Sequence, residues 1–215
     1  IQIKEIAEPM TPQTLTLEGY QEFLQSKIEK VEWSGFTVDP TSLHSSLYPH
    51  ARDVAAWATR RGRAMVAASF GLHKTSIQIE IARQTNLHTD GRFLIVCPLS
   101  VRHQFIQKDG PRLDIEWQFI STDEEIAGST HPYLITNYES VRLGKIDPRN
   151  HDIKGCSLDE GSVLRDLGSD TYQVFNEVFQ DVPYRFVCTA TPSPNNFREL
   201  LNYADFLQIM DRGRA

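Results

Sequence analysis

The sequence predicts a three-layer α/β domain on a mostly parallel sheet, preceded by an N-terminal helical leader. Three observations carry that expectation. Six short runs rich in β-branched and aromatic residues are apolar on both faces, as strands covered from both sides must be. Helical patterns fill most of the intervals between them, the alternation that builds parallel sheets. The 215 residues, 40 % hydrophobic and 23 % charged, suffice for one medium domain with a sizeable core and do not suit a disordered chain.

The leader comes first. Leu17, Tyr20, Leu24, Ile28 and Val31 recur at helical steps behind a capping Thr16, and the polar stretch Pro40 to Ser46 ends the segment. Residues 1–41 are assigned to the leader and 42–215 to the α/β domain. A helix is expected over Pro49 to Arg61, because Pro49 suits a first turn and Gly62 an end. Strands are expected at Ala64 to Phe70, Phe93 to Cys97, Trp117 to Ile120, Tyr133 to Thr136, Cys156 to Leu158 and Arg185 to Thr189. Helices are expected at Lys74 to Gln84, Val101 to Gln107, Thr171 to Phe179 and Phe197 to Ile209. Ligands of such sheets bind beyond the carboxyl ends of the strands, which makes those ends the places to look for chemistry.

Composition excludes several classes. With a net charge of −6 and a pI of about 5.6, the chain does not attract nucleic acid through bulk charge, so such contact needs a local basic strip. Arg52, Arg60, Arg61 and Arg63 offer one, although a solvated helix face with arginines near its negative end is the simpler reading. Asp109, Asp114, Glu116, Asp123, Glu124 and Glu125 form a diffuse acidic stretch, read as solvated surface or as a phosphate mimic toward a basic partner. Cys97, Cys156 and Cys188 lie far apart in apolar runs, which points to buried free thiols in a reducing compartment and away from zinc. No apolar run approaches the roughly 20 residues of a membrane span, and no signal-peptide pattern opens the chain.

Two strand ends carry candidate chemistry. Ala68-Ser69-Phe70-Gly71-Leu72-His73-Lys74-Thr75 joins a strand to a helix, the setting in which backbone amides face phosphate, a Lys reaches it and a Thr holds Mg²⁺. His73 stands where that loop ordinarily has glycine. There a Cβ resists positive φ, and a ring crowds the approach to phosphate. Taken alone, the loop reads equally as a nucleotide cradle or as a plain helix start. The second end, Leu158-Asp159-Glu160, sets two acids side by side, and strand alternation aims them in different directions. One can hold Mg²⁺ and the other polarise water, or both can be solvated loop acids. Thr189 and Thr191, at the end of the next strand, supply hydroxyls able to bridge the acid pair to a neighbouring element.

Taken in order, these motifs resemble the first RecA-like domain of a superfamily 2 helicase or translocase, nearest the Swi/Snf-type branch, from about Ser42 to Leu207. The resemblance is carried by Leu47-Tyr48-Pro49-His50, Lys74-Thr75, Ile95-Val96-Cys97-Pro98-Leu99-Ser100, Leu134-Ile135-Thr136-Asn137-Tyr138-Glu139 and Leu158-Asp159-Glu160. Thr189-Ala190-Thr191-Pro192-Ser193-Pro194-Asn195 and Arg198-Glu199-Leu200 complete it. It implies a three-layer RecA-like P-loop domain that binds ATP and Mg²⁺ through Ser69, Gly71, His73, Lys74, Thr75 and the position of Ala51. It further implies Mg²⁺ ligation by Thr75 and Asp159, with Glu160 activating water beside Asp159. Pro98, Leu99, Ser100, Arg102, Thr136, Asn137 and Tyr138 would line a nucleic-acid track, expected to be DNA. Thr189, Ala190 and Thr191 would couple hydrolysis to movement. A second RecA-like domain or a protein partner would complete the site with an arginine finger. Relatives of this branch occur widely in phages and mobile elements, so the cytoplasm of a bacterial or phage-infected cell is expected.

The chain departs from that pattern at His73, at Ala51 (where an adenine-reading Gln is usual) and at Gly161-Ser162 (where Ala-His is commoner). Two changes in one pocket lead to the expectation of a helicase-like ATP-binding domain with a degenerate pocket that is not an active motor alone. The alternative is a non-catalytic binding or inhibitory module derived from a phage helicase.

Overall fold

Each apolar run after Gly62 becomes a parallel strand in the computed structural model, which describes residues 33–192 and 199–210. The strands are β1 (Arg63–Ala67), β2 (Arg92–Cys97), β3 (Gln118–Phe119), β4 (Tyr133–Asn137), β5 (Ile153–Asp159) and β6 (Tyr184–Thr189). They form one sheet in the order β1-β6-β5-β2-β4-β3, and every neighbouring pair is parallel. Alternation along the strands divides the core in two. On one face Phe93, Ile95, Cys97, Phe186 and Cys188 pack with Ala51, Ala55, Ile77 and Ile81; on the other Leu94, Val96, Leu158 and Val187 pack with Phe175, Phe179 and Phe206.

Helix α1 (Pro49–Arg61) has the expected bounds, with Pro49 in its first turn and Gly62 at φ 71° donating to the carbonyls of Ala58 and Thr59. Helix α2 (Lys74–Thr89) runs one turn past expectation. It lies under the sheet and is buried nearly all round, Gln78 and Glu80 included, so a one-face apolar period does not measure its length. The short helices α3 (Asp123–Ala127) and α4 (Tyr138–Arg142) lack a readable period, yet each is capped, by Thr122 and Asn137 respectively. Helices α5 (Asp170–Val178) and α6 (Glu199–Phe206) cover the second face.

Two expectations are corrected. The first strand stops at Ala67, and residues 68–70 belong to the loop, where Phe70 is exposed. The helix expected over Val101 to Gln107 is a π-helical segment, Gln104–Asp109, running into a single α-turn at Gly110–Arg112. A Cβ at Gly110 would lie 2.3 Å from the Phe105 carbonyl oxygen, and Pro111 has no N–H to continue an ordinary ladder. Trp33 onward forms one compact unit. Phe36 stacks on His88 at 3.9 Å, and Gly35 passes so close to α1 that a Cβ there would meet the Thr59 carbonyl at 1.9 Å. The helix expected over Leu17 to Val31 and the segment 193–198 lie outside the described residues.

Arg60, Asp114, Glu116, Glu124 and Glu125 are exposed, as solvated faces require, whereas Arg52, Arg61, Arg63, Asp109 and Asp123 are half-buried. Arg60 and Arg61 lie over the Trp33 ring, Arg52 donates to the Ser45 carbonyl, and Arg63 donates to Pro183 and Gln208. Asp109 pairs with Arg112, and Asp123 accepts from His151, Asn150 and the Asp147 amide. Cys97, Cys156 and Cys188 are free and buried, and burial pushes the first two thiols up to about 12. Among the described residues, no helix is long and apolar enough to cross a membrane.

Candidate nucleotide site at the carboxyl end of the sheet

Because β1, β6 and β5 are neighbours, their carboxyl ends bring the Ala68–Thr75 loop, Thr189 and Asp159-Glu160 together. His73 caps α2 in the left-handed conformation, φ 59° and ψ 33°, which costs a side-chain-bearing residue roughly 1–2 kcal/mol and is least foreign to Asn, Asp and His. Its ring lies against aromatic neighbours at the start of α1. It stacks on Tyr48 with centroids 4.3 Å apart, and His50 adds a third ring 5.6 Å from His73. The loop interior belongs to Lys74, whose ammonium donates to the carbonyls of Ala68 (2.8 Å) and Ser69 (3.2 Å). Gly71, at φ 82°, has open space where a side chain would be. Ala51 is fully buried in the first turn of α1, so the position offers neither donor nor acceptor to a ligand.

The acid pair diverges as strand alternation requires. Asp159, 8 % exposed, turns toward α2, where its Oδ1 accepts from Gln78 Nε2 at 2.7 Å; Ser157 fixes that amide by donating to its oxygen at 2.7 Å. Burial raises the Asp159 carboxyl above its ordinary range, the Gln78 bond opposes this, the neighbouring Glu160 charge adds to it and the Lys74 charge opposes it. Glu160 adopts φ 59° and turns toward β6, where its Oε1 accepts from Thr189 Oγ1 at 3.1 Å. Thr189 in turn accepts from the Thr191 amide, and Arg165 donates to the Thr191 carbonyl and hydroxyl at 2.6 and 2.7 Å. Ala190 lies between these two threonines. Gly161 permits close packing, since a Cβ there would lie 2.3 Å from Val187 Cγ1.

Residues expected along a track divide into surface and interior. Pro98 starts the loop after β2, Leu99 and Ser100 are exposed, and Arg102 lies 4.7 Å over the Phe119 ring. Thr136 is fully buried inside β4, so it presents nothing to a strand passing over the surface. Asn137 caps α4 by accepting from the Ser140 amide, and Tyr138 donates its hydroxyl to the Asp159 carbonyl at 2.6 Å, which ties α4 to the acid pair. Sequence reasoning missed Gln78, Gln104 and Arg165. Gln78 had a usable signal, a lone amide between Ile77 and Ile79 one turn beyond Lys74. Gln104, which donates to Thr75 Oγ1, had none.

A family model described as the SNF2-related domain matches residues 11–211. The chain belongs to the SNF2-related domain family. This SNF2-related domain is 27 % identical over 132 residues to mouse DNA excision repair protein ERCC-6, covering 54 % of the chain and 8 % of that protein. It is also 27 % identical over 166 residues to the Schizosaccharomyces pombe ATP-dependent helicase fft3, covering 69 % of the chain and 18 % of that protein. Among solved structures it superposes on the Sulfolobus solfataricus SWI2/SNF2 ATPase core in complex with dsDNA, with TM-score 0.65, 19 % identity and coverage of 81 % of this chain and 38 % of that one. It also superposes on the UvsW helicase of bacteriophage T4, with TM-score 0.59, 14 % identity and coverage of 89 % and 66 %. The SNF2-related domain thus spans less than a fifth of these curated relatives, and the structural likenesses show its fold, a RecA-like α/β domain on a parallel sheet.

Proposed function

We propose that this domain is the Mg²⁺·ATP-binding half of a DNA translocase, its pocket degenerate at His73 in the phosphate-binding loop and at Ala51 in the adenine-reading position, and not a motor by itself. The observation that carries the reading is the gathering of Lys74, Thr75, Asp159 and Glu160 at one end of the sheet, with Asp159 close enough to feel the Lys74 charge and held by Gln78 from α2. These groups fit a hard cation and a phosphate chain: an ammonium resting on loop carbonyls, a helix-start hydroxyl and a buried carboxylate. Bound Mg²⁺ would neutralise phosphate charge. Thr75 and Asp159 would hold that ion, and Lys74, now on the Ala68 and Ser69 carbonyls, would serve phosphate oxygens together with Ser69 and Gly71. Glu160, oriented by Thr189, takes the proton of the attacking water.

At the adenine-reading position Ala51 reads nothing, and the His73 ring of the phosphate loop stacks on Tyr48. A second RecA-like domain, in the same polypeptide or another chain, supplies the arginine finger, a contribution of about 10³–10⁵ in rate in related hydrolases. DNA is the track, met by Pro98, Leu99, Ser100 and Arg102 with Asn137 and Tyr138, and Thr189 to Thr191 relay the state of Glu160. The three buried thiols suit the cytoplasm of a bacterial or phage-infected cell.

The test is calorimetric titration of Mg²⁺·ATP into the wild type, Lys74→Ala and His73→Gly. Weak binding that Lys74→Ala abolishes and His73→Gly tightens is the expected result. Lys74→Ala binding as well as wild type would refute the site. No binding by any of the three would favour the non-catalytic module, for which a nucleotide-free pull-down from host lysate is the direct assay.

A further inference from the structure

We propose that Gln104 is a positioning residue that sets the Thr75 hydroxyl for a divalent cation and ties it to the segment leaving β2; the inference rests on the Mg²⁺·ATP reading above. Gln104 Nε2 carries two N–H groups and both are engaged, one on Thr75 Oγ1 at 3.1 Å and one on Asp109 Oδ2 at 3.1 Å. A hydroxyl has one proton and two acceptor positions. With one position taken by Gln104, a single one is left for a cation, and the stiff β-branched side chain holds it in place.

Gln104 is itself held. Asp109 pairs with Arg112 at 3.0 Å, and Arg112 also donates to Ser76 Oγ at 2.6 Å and to the Ser46 carbonyl at 3.2 Å. Both hydroxyl residues in the first turn of α2 are therefore gripped by residues 104–112. This stretch contains the π-helical segment, a conformation that is rare and concentrated at functional sites. It begins two residues beyond Arg102, and backbone bonds from Val101 to Pro98 and from Gln104 to Val101, each 2.9 Å, make the intervening chain continuous. A shift of the exposed Pro98–Arg102 surface thus reaches Thr75 through one side chain.

The experiment measures ADP affinity by calorimetry with and without Mg²⁺, taking the ratio of the two as the readout, for the wild type, Gln104→Met, Thr75→Val and the double variant. The ratio falls about 3- to 10-fold in Gln104→Met, the span expected for one hydrogen bond, while Mg²⁺-free affinity stays unchanged. In the Thr75→Val background Gln104→Met has no further effect, because the partner is already gone. Gln104→Leu replaces Gln104→Met if the latter does not fold. A thermal-unfolding cycle on the same positions without nucleotide is expected to be non-additive. A wild-type ratio retained in Gln104→Met, or independent losses in the double variant, overturns this inference alone. A wild type whose ADP affinity ignores Mg²⁺ overturns the nucleotide reading and takes the inference with it.

Discussion

At the scale of single residues the site is stored against the stability of the fold. Asp159 sits almost without solvent, and burial lifts its carboxyl above the ordinary range. A carboxyl so shifted binds its proton more tightly folded than unfolded, so it favours the fold below the unfolded value, near 3.9, and that benefit is lost as pH rises through the raised folded value. Asp159→Asn, which keeps an acceptor for Gln78, is expected to melt above wild type at pH 8, with the gap closing toward pH 4. About 1 kcal/mol corresponds to roughly 2–4 °C in a domain of this size, well within scanning calorimetry. A lower melting temperature at pH 8 would mean that the partners of Asp159 outweigh its desolvation. The two acids and the Lys-Thr pair were readable because each needs a particular chemistry at a strand end. The direction of the His73 ring was not readable, since it depends on Tyr48, 25 residues away in sequence and adjacent only once α1 packs on α2.

At the scale of elements, what the sequence reveals follows how one-sided each element is. Helix α1 declares itself through Pro49, Gly62 and an alanine-lined buried face, whereas α2 is wrapped by protein and shows no clean face. The π-helical segment was invisible because a short apolar pattern does not separate a π-helical register from an α-helical one. Arg165 shows how elements meet at the site: its guanidinium spans the Thr191 carbonyl and hydroxyl at the end of β6 and Glu199 at the start of α6, 3.5 Å away. Arg165→Ala leaves the Glu199 carboxylate, 12 % exposed, without that cation and should cost about 1–3 kcal/mol in urea unfolding. Arg165→Lys recovers only part of the loss, because an ammonium lacks the planar fork that serves both partners. Hydrogen exchange at residues 189–191 is expected to rise in both variants. Unchanged protection there would show that β6 holds its own end and that Glu160 is oriented without help from Arg165.

For the whole molecule, charge and architecture pull in different directions. Sheet order places every proposed ATP ligand and the surface after β2 at the same carboxyl edge, yet the chain carries a net charge of −6. Four of the arginines that looked like a nucleic-acid strip are occupied with Trp33, Ser45, Pro183 and Gln208. Those partners are neutral and leave the arginine charges in place, but the net charge of −6 keeps long-range attraction to DNA weak. Contact in the proposed reading therefore rests on a few local groups, with Arg102 the exposed cation on the proposed track. Each neutralised duplex phosphate contributes about −0.9 to the slope of log affinity against log salt. Fluorescence anisotropy with a labelled duplex is expected to give a slope no steeper than about −2 and weak affinity at physiological salt, with Arg102→Ala removing about one unit. A slope near −5 would reveal a basic surface that the described residues do not account for. An Arg102→Ala slope equal to wild type would move the track away from the β2 edge, and the link from that edge through Gln104 to Thr75 would then join the nucleotide site to a surface with some other partner.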